Sequence, residues 1–226
     1  MQWVWDNLAE IWGYTADHIG LSVPPIVLGF VLSVPLGYWA SKSLAARSVM
    51  LAVFSILYSL PALVLFVLVP VALGLAILDP NNVIVALTIY AMAIMIRSAT
   101  DAFASVPPEV RESARALGYS PLQRFFRVEL PLAGPVLLAG VRVVSVSTVS
   151  LATVGGFIGI PSLGNLFQTG FQIRFFPEIW AGIIAVLVIA AVFDVLLSSL
   201  GKVLMPWSRR RTRRGERRLL AAEALI

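Results

Sequence analysis

The sequence predicts an all-α, polytopic membrane protein with five transmembrane helices, and three observations carry that prediction. Of its 226 residues, 59% are hydrophobic and 13% charged, with a mean hydropathy of +0.90, whereas soluble domains carry about 25% charged residues. The apolar residues gather into runs of the ~20 residues a helix needs to cross the hydrocarbon core. If those runs alternate in direction with the amino terminus outside, all but Arg142 and Arg174 of the 17 Lys and Arg fall on the inner side. That asymmetry orients the chain with its carboxyl terminus inside.

Residues 1–20 are expected to form an interfacial segment. The opening MQWVWDNLAEIW carries Asp6 and Glu10 and no base, unlike the basic start of a cleavable signal peptide, so it is expected to be retained. Trp3, Trp5, Trp12 and Tyr14 suit an amphipathic helix at headgroup depth, and His18, the one histidine, suits the same place. A single transmembrane domain is expected over 21–204. Its first span, 21–40, is uncharged, and Pro24, Pro25 and Pro35 are bends that membrane helices tolerate.

Lys42 and Arg47 mark a polar turn before the second span, 49–70. The uncharged run there continues to Leu78, longer than one perpendicular crossing, so Pro61 reads as a kink and Pro70 as an end. The turn DPNN, Asp79 to Asn82, precedes the third span, 83–104. Arg97 and Asp101, at i and i+4, read as an intrahelical pair near the inner surface.

The fourth span, 132–157, is interrupted by Arg142. Its hydroxyl-rich SVSTVSLAT reads either as close helix packing with bonding to i−4 carbonyls, or as a pore lining of Ser145, Thr148 and Thr153. Residues 155–178 hold too many glycines and too little length for another pair of spans, and read as an outer loop that partly re-enters. The fifth span, 179–200, contains Asp194. Arg142 and Asp194 are costly in hydrocarbon and lie at similar depth, so they are expected to pair as structural glue. The basic tail, 205–226, carries every arginine from Arg209 to Arg218 and reads as a topology anchor or a contact with anionic membrane lipid.

Between the third and fourth spans lies a long polar loop, 107–131, reading PPEVRESARALGYSPLQRFFRVELP. Pro107 and Pro108 suit a helix start, and Gly118 suits its left-handed end. Ser120, Pro121 and Gln123 read as N-cap, first turn and capping-box partner of a second helix. Val110, Ala114 and Leu117 make a narrow apolar stripe against which a partner can seat closely.

The spacing Glu112-Ser113-Ala114, three residues, Gly118, nine residues, Val128, one residue, Leu130-Pro131 resembles the signature loop of permease subunits of ATP-binding cassette importers. Ser113 for Ala and Val128 for Ile keep size and character. The resemblance implies the type I permease fold and assigns ATPase coupling to Glu112, Ser113, Ala114, Leu117, Gly118 and Pro131. It also implies two cytoplasmic ATPase subunits, a second permease copy or paralogue, and an external substrate-binding protein, in a prokaryotic cytoplasmic (inner) membrane. Gly155, Gly156, Gly159 and Gly164 then become the candidate outer gate and binding-protein contact.

Within the class, LATVGGFIGIPSLGNLF is similar to the subgroup importing osmoprotectants such as glycine betaine, choline, carnitine or proline betaine. Ile160, Pro161 and Ser162 depart from its usual glycine-rich form, and methionine-type or other amino-acid importers share the architecture. The chain lacks a G-x-x-x-x-G-K-[ST] loop, so ATP and Mg would be used by the partner ATPase and no cofactor is expected on this chain. Without cysteine and with one histidine it has no thiolate site, and no metal site is expected. Its bases lie beside apolar spans rather than on a polar domain, which argues against nucleic acid. No paired carboxylates, histidine cluster or activated nucleophile points to an enzyme. A passive channel or a membrane scaffold is the rival class, and neither needs an ATPase.

Overall fold

The computed structural model describes residues 2–74 and 76–207, and no strand occurs among them. All the arginines of the basic tail lie outside the described residues. The helices are α1 (Gln2–Asp6), α2 (Leu8–Ala40), α3 (Leu44–Ser59), α4 (Ala62–Leu73), α5 (Pro80–Ala104), α6 (Pro108–Ala116) and α7 (Pro121–Arg124). A π-helical turn, Phe125–Glu129, leads into α8 (Leu130–Ala152), followed by α9 (Val154–Phe157), α10 (Gly164–Gln172) and α11 (Phe176–Leu204). Four stretches, Leu8–Ala40, Pro80–Ala104, Pro121–Phe157 and Phe176–Leu204, are long and apolar enough to cross a membrane. The pair Leu44–Ser59 and Ala62–Leu73 makes a fifth crossing if counted together.

The centre of the bundle is α5, packed against α2, α3, α4 and α8. Small residues set how closely the helices approach, as in other membrane bundles. A Cβ built on Gly29 would stand 2.5 Å from the Ala91 Cβ, and one on Gly37 2.5 Å from the Ala99 Cβ. Both members of each contact advance together along the chain, so α2 and α5 run parallel. Gly140 meets Ser98 of α5 in the same way. Along α8 and α11 the order reverses, Gly134 against Met205 and Gly201 against Leu138, which makes those two helices antiparallel. One buried cluster joins Met95, Phe103, Leu137 and Val144, and a second joins Leu65, Phe66, Leu87 and Ile160 towards the other end.

The structure bears on four sequence-based expectations, and it bears out the kink at Pro61. First, residues 8–20 are continuous with the first span, because α2 runs from Leu8 to Ala40 without a break. Ile11, Tyr14 and Ile19 continue its packed face against Val149, Leu163, Leu166 and Ile189, although Trp5 and Trp12 stay exposed. His18 is fully buried rather than interfacial, and its Nε2 donates to the Val149 carbonyl at 3.0 Å.

Second, the kink at Pro61 is a bend of 104° between α3 and α4. Proline drives the residue before it out of the helical region, and Leu60 sits at φ −69°, ψ 137°. The hydroxyl of Tyr90 donates to the Leu60 carbonyl exposed at this break.

Third, Pro70 does not end a helix but lies inside α4, which stops at the left-handed Gly74 (φ 69°). Proline at position 70 removes the N–H that would bond the Phe66 carbonyl. Asn82, fully buried, replaces it: its Nδ2 donates to Phe66 at 2.7 Å and to the Ile77 carbonyl at 3.2 Å.

Fourth, Asp101 pairs not with Arg97 but with Arg47 of α3, at 2.7 Å, and Arg97 is exposed. The packing of α3 beside α5 brings the Arg47 guanidinium within reach of Asp101.

Candidate functional site

The loop joining α5 to α8 is built from local signals that close on themselves. Pro107 and Pro108 open α6, where a missing N–H leaves no bond unmade. At its other end Gly118 has φ 80°, the Gly118 N–H donates to the Arg115 carbonyl at 2.9 Å, and the Tyr119 N–H to the Ala114 carbonyl at 3.1 Å. Those two bonds are the Schellman pattern, which requires a left-handed residue at the Gly118 position. Ser120 and Gln123 form the reciprocal capping box, at 3.3 and 3.0 Å.

The two faces of α6 differ. Ala114, expected to seat a partner, is buried by its own chain at 5% exposure, and Val110 is half-buried. A small residue there lets α6 settle onto α7 and the π turn. Leu117 is instead 77% exposed, and Glu112, Ser113 and Arg115 are exposed around it. Leu122 of α7 and Phe126 of the π turn are exposed as well. The free surface of the loop is therefore the Leu117 face, and Ala114 anchors it from beneath. Pro131 does not end the loop but is the second residue of α8, at a position where proline fits.

Beneath the loop is a polar joint absent from the sequence-based site. Glu129 is 3% exposed and accepts a bond from Arg124 Nε at 2.8 Å and one from the Tyr38 hydroxyl at 3.2 Å. Arg111 of α6 brings its Nε to 3.3 Å from Glu129 Oε2, and its Nη2 donates to the Phe103 carbonyl at the end of α5. The Tyr38 ring packs edge-on against Phe103 and Phe125 at 5.1 and 4.6 Å, under the Lys42 ammonium at 4.0 Å. One sequence signal pointed to this joint: Glu129 is the single acid between Glu112 and Glu178 and stands among Arg111, Arg115, Arg124 and Arg127. A carboxylate at the mouth of an apolar span requires partners.

Deeper in the bundle, Arg142 and Asp194 are joined by two parallel bonds, Nε to Oδ1 at 2.6 Å and Nη2 to Oδ2 at 2.7 Å. The fork matches the geometry of a carboxylate and ties α8 to α11. Ser145 and Thr148 are turned into the chain at 0% and 2% exposure, Ser145 at the floor of an apolar cleft with Ile26, Phe193 and Leu197. Thr153 is half-buried and donates to the Ser150 carbonyl at 2.7 Å. The burial of Ser145 and Thr148 fits close helix packing, while Thr153 bonds the carbonyl three residues back rather than four. The face of α8 left uncovered carries Leu132, Val136, Val143 and Val146.

At the far end, Gly156 and Gly164 bring α9 and α10 together. A Cβ on Gly156 would lie 2.5 Å from the Gly164 carbonyl carbon, and one on Gly164 would strike the Thr153 carbonyl. Gly159 takes φ 87° and is exposed, while Gly155 is buried in ordinary contact with Val83. The turn is pinned by Asn165, whose Oδ1 accepts from the Ser162 N–H at 2.8 Å, and by Ser162 Oγ, which accepts from the Gly164 N–H at 3.2 Å. No group of three or more His, Cys, Asp or Glu placed to hold a metal occurs among the described residues.

Residues 29–210 match the family described as binding-protein-dependent transport system inner membrane component. The chain belongs to that family. Among its relatives, the choline transport system permease protein OpuBB of Bacillus subtilis (strain 168) is 28% identical over 206 residues, covering 91% of this chain and 94% of the relative. The carnitine transport permease protein OpuCB of Listeria monocytogenes is 29% identical, covering 89% and 91%. A solved structure of the MetNI methionine ABC transporter, described as inward facing, superposes with a TM-score of 0.69 at 23% identity, covering 88% of this chain and 97% of that one. At that identity the likeness concerns the fold, and it places this permease in the type I importer architecture. The matched region takes in the whole 107–131 loop, the Glu129 joint and the Arg142–Asp194 pair.

Proposed function

We propose that this permease forms half of the translocation path of an ATP-driven importer of a compatible solute such as glycine betaine, choline, carnitine or proline betaine. The observation that carries the reading is the loop at 107–131: a capped helix, a left-handed glycine and a second capped helix present an exposed Leu117 face on a buried ionic base. Such a face fits a groove on a soluble partner, and two cytoplasmic ATPase subunits using ATP and Mg are the partners this family's transport requires. A second permease, identical or paralogous, completes the path, and an external binding protein delivers solute to the Gly155–Gly164 region. The bases flanking the spans support an amino terminus outside and a carboxyl terminus inside, with membrane lipid around α11. The choline and carnitine names of its relatives favour a quaternary ammonium solute over an amino acid.

Reconstitution of the permease with its ATPase and binding protein in proteoliposomes tests this. ATP-dependent uptake of labelled glycine betaine, choline or carnitine is the expected result. Uptake of methionine alone would move the substrate to the amino-acid class. Equal flux with and without ATP would place the chain among passive channels.

A further inference from the structure

The π turn Phe125–Glu129 lies where the coupling loop becomes the fourth span. Its signature bond runs from the Leu130 N–H to the Phe125 carbonyl, five residues back. Arg124 and Glu129 are also five apart and bonded at 2.8 Å. In an α-helix, at 3.6 residues per turn, positions five apart diverge by about 140° around the axis. A turn that closes five residues apart stacks them instead. The ion pair and the π turn therefore require each other: regular α-helix from Pro121 onward would carry Arg124 away from Glu129.

Glu129 also takes contacts from two other helices. Arg111 comes from α6 and Tyr38 from α2, and Arg111 in turn holds the Phe103 carbonyl at the end of α5. We propose that Glu129 is the positioning residue of energy coupling: its ion pair with Arg124 and Arg111 locks the π turn and holds α6 and α8 as one lever. A push on the Leu117 face then turns the fourth span. Without the carboxylate the turn relaxes and the same push is absorbed in the loop.

This inference rests on the importer reading above, and the experiment separates the two. The whole transporter, with ATPase and binding protein, is reconstituted with parental permease and with Glu129→Gln, Glu129→Asp and Arg124→Gln. Solute imported per ATP is measured beside basal ATPase rate and the amount of ATPase bound. Because the chain has no cysteine, Glu109→Cys and Ser150→Cys, both exposed, also accept spin labels that report the distance between α6 and the far end of α8.

For Glu129→Gln, the yield is taken per ATP hydrolysed by the bound ATPase, so that a change in docking or basal rate is divided out. The variant's solute per ATP falls at least about tenfold, since breaking a buried pair costs more than the ~1.4 kcal/mol that corresponds to tenfold, and its label distances broaden. Arg124→Gln repeats that pattern should Glu129→Gln fail to insert, and Glu129→Asp, which keeps the charge, recovers part of the yield. A parental yield in both neutral variants overturns the proposal, as does a lost yield with unchanged label distances. If the parental transporter itself does not couple hydrolysis to uptake, the importer reading fails. If it does and the variants match it, only this inference falls.

Discussion

Substituting Gly118 separates backbone strain from packing, because an added Cβ there meets nothing within 4 Å while φ stands at 80°. An L-residue in that left-handed region costs roughly 1–2 kcal/mol, and a β-branched one more. Opposing it are the two bonds to the Ala114 and Arg115 carbonyls, each worth about 1 kcal/mol net. For alanine the terms nearly balance, so the loop divides between its closed form and one with the end of α6 unravelled. For valine the strain exceeds the bonds and the open form dominates. Asparagine, which visits the left-handed region most easily after glycine, keeps the loop closed. At about 1.4 kcal/mol per tenfold, expected uptake ranks glycine, asparagine, alanine, valine, with valine down by about tenfold or more. ATP-driven uptake into proteoliposomes, at equal permease incorporation, gives the ranking. Valine with parental uptake would refute the strain argument, and asparagine falling below alanine would show that the side chain, not φ, decides the outcome.

Three further outcomes are expected. Gly37→Leu drives side-chain atoms into Ala99, whose Cβ is already 2.5 Å from the position of a Cβ, so the thermal midpoint in detergent should fall by the equivalent of about 1–3 kcal/mol; an unchanged midpoint would mean that α2 and α5 do not approach so closely. Asn82→Leu orphans the Phe66 carbonyl at a cost of about 1–3 kcal/mol, and adding Pro70→Ala should restore much of it by returning the helical N–H; additive losses in the double variant would contradict that account. Asp194→Asn and Arg142→Gln should each lower the yield of inserted permease, and the double neutral variant should recover it, since the bidentate pair leaves an uncompensated charge only when one member is lost; equal yields from all three would remove its structural role.

How much of this was legible in the sequence depended on the distance over which each signal acts. The Schellman end at Gly118 and the box of Ser120 and Gln123 involve residues within five positions of one another, and their types alone predict both. The spans follow from hydropathy, which needs no partner. Ala114 shows where the local pattern stops informing: an i, i+4, i+7 stripe has the same form whether a partner or the chain's own π turn covers it. The bonds of α6 to that region settle the question, and residue type does not.

Polar groups inside the bundle were the least legible, and they share a cause. Proline and helix ends leave backbone carbonyls unpaired in a medium without water, and a side chain from elsewhere must meet them. Asn82 meets the Phe66 carbonyl freed by Pro70, Tyr90 meets Leu60 at the bend, and His18 meets Val149 across 131 residues of chain. Read singly, these residues resemble a turn asparagine, a strayed tyrosine and an interfacial histidine. Their common role appears only when each is paired with the backbone defect it repairs. The same logic gives Pro70 a place inside α4, since a proline there is stable only where a second helix supplies the missing donor. The bend thus begins at Pro61 within the span, and Tyr90 and Asn82 of α5 satisfy the carbonyls that Pro61 and Pro70 leave open.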